Sequence, residues 1–510
     1  MCSILGLTGN VKTDTLIKMM KESKHRGPDN SGVYLKNDKD SILEDNIDFN
    51  TFLNPENYQI AFGHNLLSIF RSSENKEENL KNNTQPIKKG EIVLIFNGEI
   101  FNYPLIQEYL NQEIKSDSQL LLELIYNKLE IHKHLLPTIK EVLNIIDGDY
   151  AFAVTDGYDM ILARDIVGVK PLYYGYDLND ENSILGFASE RKSLWAAGIT
   201  EIYSLSPGCI LFNGDIIRVN ELLINEVDNE TSYNDLKQNL IETLYESVYK
   251  RVQNLSEVGL IFSGGIDSAF LAVILKKIRL ETGLKVKLYV VGNPLSKDIE
   301  YAKKIAQDID LPLKIQTITP EVVADNINDV LKAIEDTNRM KLGVGMTIYL
   351  ASKMMREDGI KVALSGQGAD ELFAGYNRYI QHIENHDYEG LNQELIHDIT
   401  NIYHVNLERD DAASMANSVE LRVPYMDTEL IRLGMTIPPE YKIRSPEDTL
   451  KKYILRDAAL DYGVPEYAAL RPKKAAQYGS GIDKILKKKI SKTLNFNQYL
   501  NDYKNSLIEN

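Results

Sequence analysis

A few short stretches of this chain carry side chains whose types and spacing could do chemistry. Cys2 is the first. Once Met1 is trimmed, its thiol lies beside a free α-amino group of pKa roughly 7.7–8.0, which can serve as the general base for a nucleophilic thiolate. By position alone it also reads as a small buried residue opening a strand. Asn97-Gly98 ends the apolar run that begins at Val93, and there a side-chain amide and a backbone N–H could act as oxyanion donors. Ser263-Gly-Gly-Ile-Asp-Ser268 follows a short apolar strand and opens a helix. Glycine lets the backbone turn tightly, and the helix start aims unsatisfied N–H groups at the turn, which makes an anion site, most often for phosphate. No Gly-Lys-Ser/Thr follows, so this is not the Walker pattern. Ser365-Gly-Gln-Gly-Ala-Asp370 repeats the design. Read alone, Asp370 is an aspartate satisfying a helix start. Paired with Asp267, it becomes half of a site for Mg²⁺, which is held by one or two carboxylates plus phosphate oxygens.

These stretches must be positioned by regular elements. In the second half, strands over 260–262, 286–291, 313–318 and 361–364 alternate with helices over 236–252, 299–309 and 322–334. That alternation predicts a parallel sheet covered on both faces, with ligands collecting at the carboxyl ends of its strands. Two glycine turns from one such sheet would face one cleft. Ser445, Pro446 and Asp448 predict a helix starting at the cap Ser445, with Lys452 and Arg456 on one solvated face. Glu420, Arg422 and Asp427 lie within an apolar run, which predicts buried, paired charges. The tail around Lys487 to Lys489 reads as a solvated helix face. The first half reads as strands and turns, with an amphipathic helix after Ser116. Its polar segments 36–57 and 72–84 read as loops, and His25 and His64 have no partner at metal-ligand spacing.

At 510 residues the chain is too long for one core. We expect two domains, 1–215 and 236–510, joined by a linker over 216–235. A formal charge of −17 argues against a nucleic-acid surface. Two cysteines, Cys2 and Cys209, make neither a disulfide framework nor a zinc cluster. The sequence shows no signal-peptide pattern and no long apolar run, so a soluble cytoplasmic protein without a membrane partner is expected.

The motifs in order resemble one family. Ser263 to Ser268 is similar to the pyrophosphate loop of enzymes that split ATP into AMP and pyrophosphate. Cys2, His25-Arg-Gly-Pro-Asp-Asn30, Asn97-Gly-Glu99, Ser116-Asp117, Asp147-Gly-Asp149 and Ala188-Ser-Glu-Arg-Lys192 resemble the glutamine amidotransferase domain of glutamine-hydrolysing asparagine synthetases. Ser414 to Asp427 and Lys452 resemble the synthetase domain of that family. The resemblance covers most of the chain. It implies an α/β and α+β two-domain fold: an N-terminal αββα sandwich of the N-terminal-nucleophile type, then a parallel α/β sheet with extra helices. It implies Cys2 as nucleophile, Asn97 and Gly98 as oxyanion hole, and Glu99 and Asp117 on the glutamine α-amino group. For ATP it implies Leu260, Ser263, Gly264, Gly265, Asp267 and Ser268 from the first loop. Val291, Ser365 and Gly366 complete that set. Asp267 and Asp370 would hold magnesium, Lys452 would be the catalytic lysine, and homodimers are common in the family.

Three departures matter. The family commonly has arginine in Gly-His-x-Arg-Leu-Ser-Ile, where it pairs with the glutamine α-carboxylate; here Leu66 stands in that place. Arg71 is the nearby cation that could reach the same space. Gln367 stands where some members carry glutamate, and Thr337 to Met346 departs from the family run near the acceptor site. The implied activity is ATP-dependent amidation of L-aspartate, with small-molecule partners aspartate, glutamine and ATP. The alternatives are a different carboxylate acceptor, ammonia as the main nitrogen donor, or a nucleotide-binding regulator without turnover.

Overall fold

The computed structural model describes residues 2–509 apart from 53, 55, 70–74, 178–183, 225, 294–295, 448–449 and 473–480. The chain forms two compact units: residues 1–221 with 497–510, and residues 222–496. Residues 497–510, expected in the second domain, group with the first unit. The last helix, Phe496–Glu509, finds its partners in the first unit. There the Tyr503 hydroxyl donates to Glu22 (2.9 Å), and the Lys504 ammonium lies over the Trp195 ring.

The first unit holds β1 (Cys2–Lys12), β2 (Asn30–Lys36), β3 (Ser41–Asp45), β4 (Asn57–Leu66), β5 (Ile87–Lys89), β6 (Ile92–Ile100) and β7 (Gly148–Thr155). It continues with β8 (Met160–Arg164), β9 (Tyr173–Asp177), β10 (Ile184–Ala188), β11 (Ile202–Ser204), β12 (Cys209–Phe212) and β13 (Asp215–Arg218). Two antiparallel sheets result, ordered β11-β9-β10-β1-β4-β2-β3 and β13-β12-β8-β7-β6-β5. Alternation along each strand sends side chains to opposite faces. Ile4, Phe62, Val93 and Ile95 therefore meet in a core between the sheets. Leu5, Leu7 and Val33 turn outward onto α1 (Thr13–Glu22), while Leu94, Phe96 and Phe152 turn onto helices of the other side. Those helices, after the short α2 (Lys76–Asn83), are α3 (Tyr103–Leu110), α4 (Asp117–His132) and α5 (Leu135–Ile145). Apolar faces on both sides of both sheets thus give the αββα sandwich. The segments expected to be loops contain β3 and α2: Asn75 caps α2, accepting from Glu77 N–H at 2.9 Å, and β3 pairs along β2.

In the second unit α6 (Tyr233–Lys250) leads into β14 (Glu257–Ile261), α7 (Ile266–Thr282), β15 (Lys285–Gly292), α8 (Lys297–Asp308) and β16 (Leu313–Thr317). After α9 (Pro320–Ile334) and α10 (Arg339–Glu357) come β17 (Val362–Leu364), α11 (Ala369–Leu372), α12 (Glu408–Met415), β18 (Glu420–Arg422) and α13 (Tyr453–Tyr462). All pairings are parallel, in the order β16-β15-β14-β17-β18. Val258, Gly259 and Leu260 are consecutive and all buried, so both faces of the central strand are covered. The chain leaves β14 toward β15 and returns later to β17 on the opposite side. This reversal of direction marks where an open sheet binds its ligands.

Candidate functional site

The first unit brings Cys2 and Asn97 together from different sheets. Both occupy strand positions that face the space between the sheets, in step with Ile4 and with Ile95. The Cys2 N–H donates to Asn97 Oδ1 at 2.9 Å. Asn97 is fully buried, and its Nδ2 has no hydrogen-bond partner among the described residues. An orphaned buried donor is costly unless something accepts from it, and a tetrahedral oxyanion at the neighbouring thiol is such an acceptor. Asn97-Gly98 is not a strand end, as the sequence suggested. β6 runs on to Ile100 because Gly98, which has no side chain, lets the Asp149 carbonyl and Tyr150 approach closely. Glu99 lies two residues beyond Asn97 and shares its face. Asp117 starts α4, next to the cap Ser116.

Behind Cys2 lies a cluster of ionisable side chains. Arg26 is fully buried and donates from Nε to the Cys2 carbonyl (3.3 Å) and from a terminal nitrogen to Glu190 (3.1 Å). Glu190 also meets Lys192 (2.6 Å) and His25 (3.0 Å). Burial alone would raise the Glu190 carboxyl, but His25, Lys192 and Arg26 hold it well below the usual carboxylate range. Residues separated by about 160 positions leave no local pattern, so the sequence alone does not show that His25 and Arg26 meet Glu190. Leu66 is buried and paired directly with Cys2, so an apolar side chain occupies that register position. Arg71 lies outside the described residues. His64, on the same strand, is fully buried, and burial pushes its imidazole down to about 3, which keeps it neutral.

The second unit gathers its predicted residues at the reversal point. After β14, Ser263 to Ser268 closes on itself: the Gly265 N–H donates to Ser263 Oγ and the Ser263 N–H to Ser268 Oγ, both at 3.2 Å. Gly264 takes φ +67°, a left-handed value that suits glycine. Leu260 and Val291 lie in β14 and β15, and Ser365 and Gly366 follow β17. A β-carbon on Gly366 would lie 3.1 Å from Asp267 Cβ, so the two loops do face each other. The Ser365 N–H donates to the Arg422 carbonyl, and Ser365 Oγ accepts from Gln367 N–H at 3.2 Å.

Lys452 completes this site from a distant segment. Its ammonium lies 2.6 Å from Asp267 Oδ1 and 2.5 Å from Asp370 Oδ1. The lysine side chain is only 1% exposed. Burial by itself lowers the Lys452 pKa, but the two carboxylates more than offset it, so the ammonium is held above the ordinary lysine value. Of the helix expected from Ser445, the described residues 445–447 and 450–452 are not helical. α13 begins only at Tyr453; Lys451 and Lys452 take left-handed φ of 54° and 56°, and Asp448 lies outside the described residues. Such conformations cost non-glycine residues of order 1–3 kcal/mol each. Arg456, expected on a solvated face with Lys452, is instead buried and donates to the carbonyls of Lys451 (2.6 Å) and Leu450 (2.9 Å). The carbonyls that a helix would use internally are thus taken by a side chain. Gly375 leaves the room that Lys452 needs: a β-carbon there would fall 1.9 Å from Asp370 Oδ1 and 2.5 Å from Lys452 Cε.

The expected buried pairs are present. Arg422 meets Glu420 at 3.1 Å, and Asp427 is held by Arg251 and Lys250. Two carboxylates that converge on one cation are the protein share that Mg²⁺ uses beside phosphate oxygens, so Asp267 and Asp370 fit that ion. Among the described residues no helix is long and apolar enough to cross a membrane.

The chain can now be set against known proteins. Residues 239–390 and 384–501 match the asparagine synthase family, and residues 71–196 match the glutamine amidotransferase domain. "Putative asparagine synthetase (glutamine-hydrolysing) 1" of Methanocaldococcus jannaschii is 37% identical over 100% of this chain and 99% of its own length. Asparagine synthetase 3 of Arabidopsis thaliana is 27% identical over 94% of this chain and 79% of its own length. Asparagine synthetase B of Escherichia coli is 28% identical over 94% and 82%. The chain belongs to the glutamine-hydrolysing asparagine synthetase family, and it is a carbon–nitrogen ligase.

Proposed function

We propose that this protein converts L-aspartate to L-asparagine through β-aspartyl-AMP, using ATP and ammonia from glutamine. The observation that carries this reading is the meeting of Lys452 with Asp267 and Asp370 at the Ser263–Ser268 turn. A carboxylate is a poor electrophile and must be activated before it accepts nitrogen. A β-carboxylate oxygen of aspartate attacks the α-phosphorus of ATP and pyrophosphate leaves, held by the amides and hydroxyls of Ser263 to Ser268. Leu260, Val291, Ser365 and Gly366 line the nucleotide's place at the strand ends. Lys452 keeps its proton and places a fixed positive charge where negative charge builds on the phosphoryl oxygens. Magnesium, held by Asp267 and Asp370, would supply further charge neutralisation when bound. Ammonia then attacks the acyl carbon, AMP leaves, and the nitrogen sheds a proton to give the amide.

In the first unit we propose that Cys2, freed of Met1, attacks the glutamine carboxamide with its own amine as base. The Cys2 nitrogen stays oriented by Asn97 Oδ1, and Asn97 Nδ2 with the Gly98 N–H binds the oxyanion. Glu99 and Asp117 would take the glutamine α-ammonium. The domains then divide as glutaminase and synthetase, and the products are AMP, pyrophosphate and glutamate besides asparagine. Leu66 favours a second reading for the nitrogen source: a leucine offers no fork to an α-carboxylate, so free ammonium would be the preferred donor. The test is asparagine yield at equal, subsaturating glutamine and ammonium. A large preference for ammonium supports the second reading; equal or better use of glutamine supports the first.

A further inference from the structure

Two arginines, Arg456 buried and Arg471 partly exposed, lie beside the synthetase site without touching its acidic pair among the described residues. Arg456 sends its guanidinium to main-chain carbonyls: Lys451 at 2.6 Å, Leu450 at 2.9 Å, Arg471 at 3.0 Å, and Ala469. Arg471 in turn donates to the Gly264 carbonyl at 3.1 Å, pairs with Asp298, and has its guanidinium 4.2 Å from the Tyr301 ring centre. A continuous chain of bonds therefore runs from the strained Lys451–Lys452 peptide, through Arg456 and the Arg471 backbone, to the glycine turn. A planar trans peptide points its carbonyl and its N–H in opposite directions. Holding the Gly264 carbonyl outward therefore aims the Gly265 N–H into the turn, where it already meets Ser263 Oγ. Holding the Lys451 carbonyl fixes the peptide that carries Lys452 toward Asp267 and Asp370.

We propose that Arg471 and Arg456 are positioning residues of the adenylation step with separable effects: Arg471 sets the pyrophosphate loop, and Arg456 sets the catalytic lysine. This rests on the function proposed above. The test measures MgATP binding and aspartate-dependent ATP–pyrophosphate exchange in wild type, Arg471→Ala, Asp298→Asn, the double variant of these two, and Arg456→Lys, with thermal melts for each. Arg471→Ala should weaken MgATP binding about 10- to 100-fold, the range for losing a charged hydrogen bond, and raise KM for ATP in step. Asp298→Asn should weaken it less, and should add nothing once Arg471 is gone. Arg456→Lys keeps charge and bulk; it should lower exchange kcat about 10²-fold, the scale of a small misplacement, and leave MgATP affinity near wild type. An equal fall in both parameters for both arginine variants, or unchanged ATP binding in Arg471→Ala, would overturn the assignment. Wild type that binds MgATP but shows no aspartate-dependent exchange would sink the proposed acceptor instead, and the binding measurements would still judge Arg471.

Discussion

The two sites handle buried charge in opposite ways. Behind Cys2, the Glu190 carboxylate is shared by Arg26, Lys192 and His25, and beside Cys2 in the strands stand an amide, Asn97, and a leucine, Leu66. They hang on regular strands, placed by register alone. At the Ser263–Ser268 turn the charge is part of the proposed chemistry. One ammonium sits between two carboxylates, and the backbone that presents it is left-handed at two successive lysines. A site built on register should tolerate small changes near it, whereas one built on strained loops should not.

Lys452→Met breaks the comparison most severely: it should lower aspartate-dependent AMP formation by about 10³-fold or more, because a fixed charge at the reacting phosphate is lost. AMP release under saturating ATP and ammonium measures it. Cys2→Ala should abolish glutamine-supported synthesis, while ammonium continues to support asparagine formation; amino-acid analysis separates the two. Gly375→Ala adds one methyl group, yet it should cost about 10²-fold in the synthetase reaction, since Lys452 and Asp370 must move apart. A rate near wild type for that variant would show that the lysine is less confined than its surroundings indicate.

The smallest expected effect concerns a second buried lysine. Lys442 is fully buried, its ammonium nitrogen has no hydrogen-bond partner among the described residues, and burial pushes its pKa down to about 7. An exposed lysine titrates near about 10.4. Between those values the unfolded chain binds more protons than the folded one, so stability rises as pH climbs from about 7 toward 10.4. Lys442→Met should remove that slope and raise Tm by a few degrees at neutral pH. Melts across this pH range decide it, and a variant that melts lower at neutral pH contradicts it.

What could be read from the sequence follows the same division. The alternating strands and helices around Ser263 and Ser365 were legible because apolar periodicity is a local signal. So were the two facing turns, since a parallel sheet brings the ends of its strands together. The Lys452 segment was not. Ser445 and Pro446 read as a locally sound helix start, whereas Arg456, well beyond that cap, takes the carbonyls of Leu450 and Lys451. Likewise β3 and α2 were hidden in polar segments whose pairing depends on β2 and on the cap Asn75. The charge cluster behind Cys2 joins residues far apart in the chain, which no spacing reveals.

The measurement that bears most directly on the account supplies the folded protein with MgATP, aspartate and ammonium and scores AMP, pyrophosphate and asparagine together. Equal amounts of AMP, pyrophosphate and asparagine are expected, all lost in Lys452→Met. Protein that binds ATP yet forms no AMP with aspartate, or forms it equally well without Lys452, would contradict the proposed chemistry of this site.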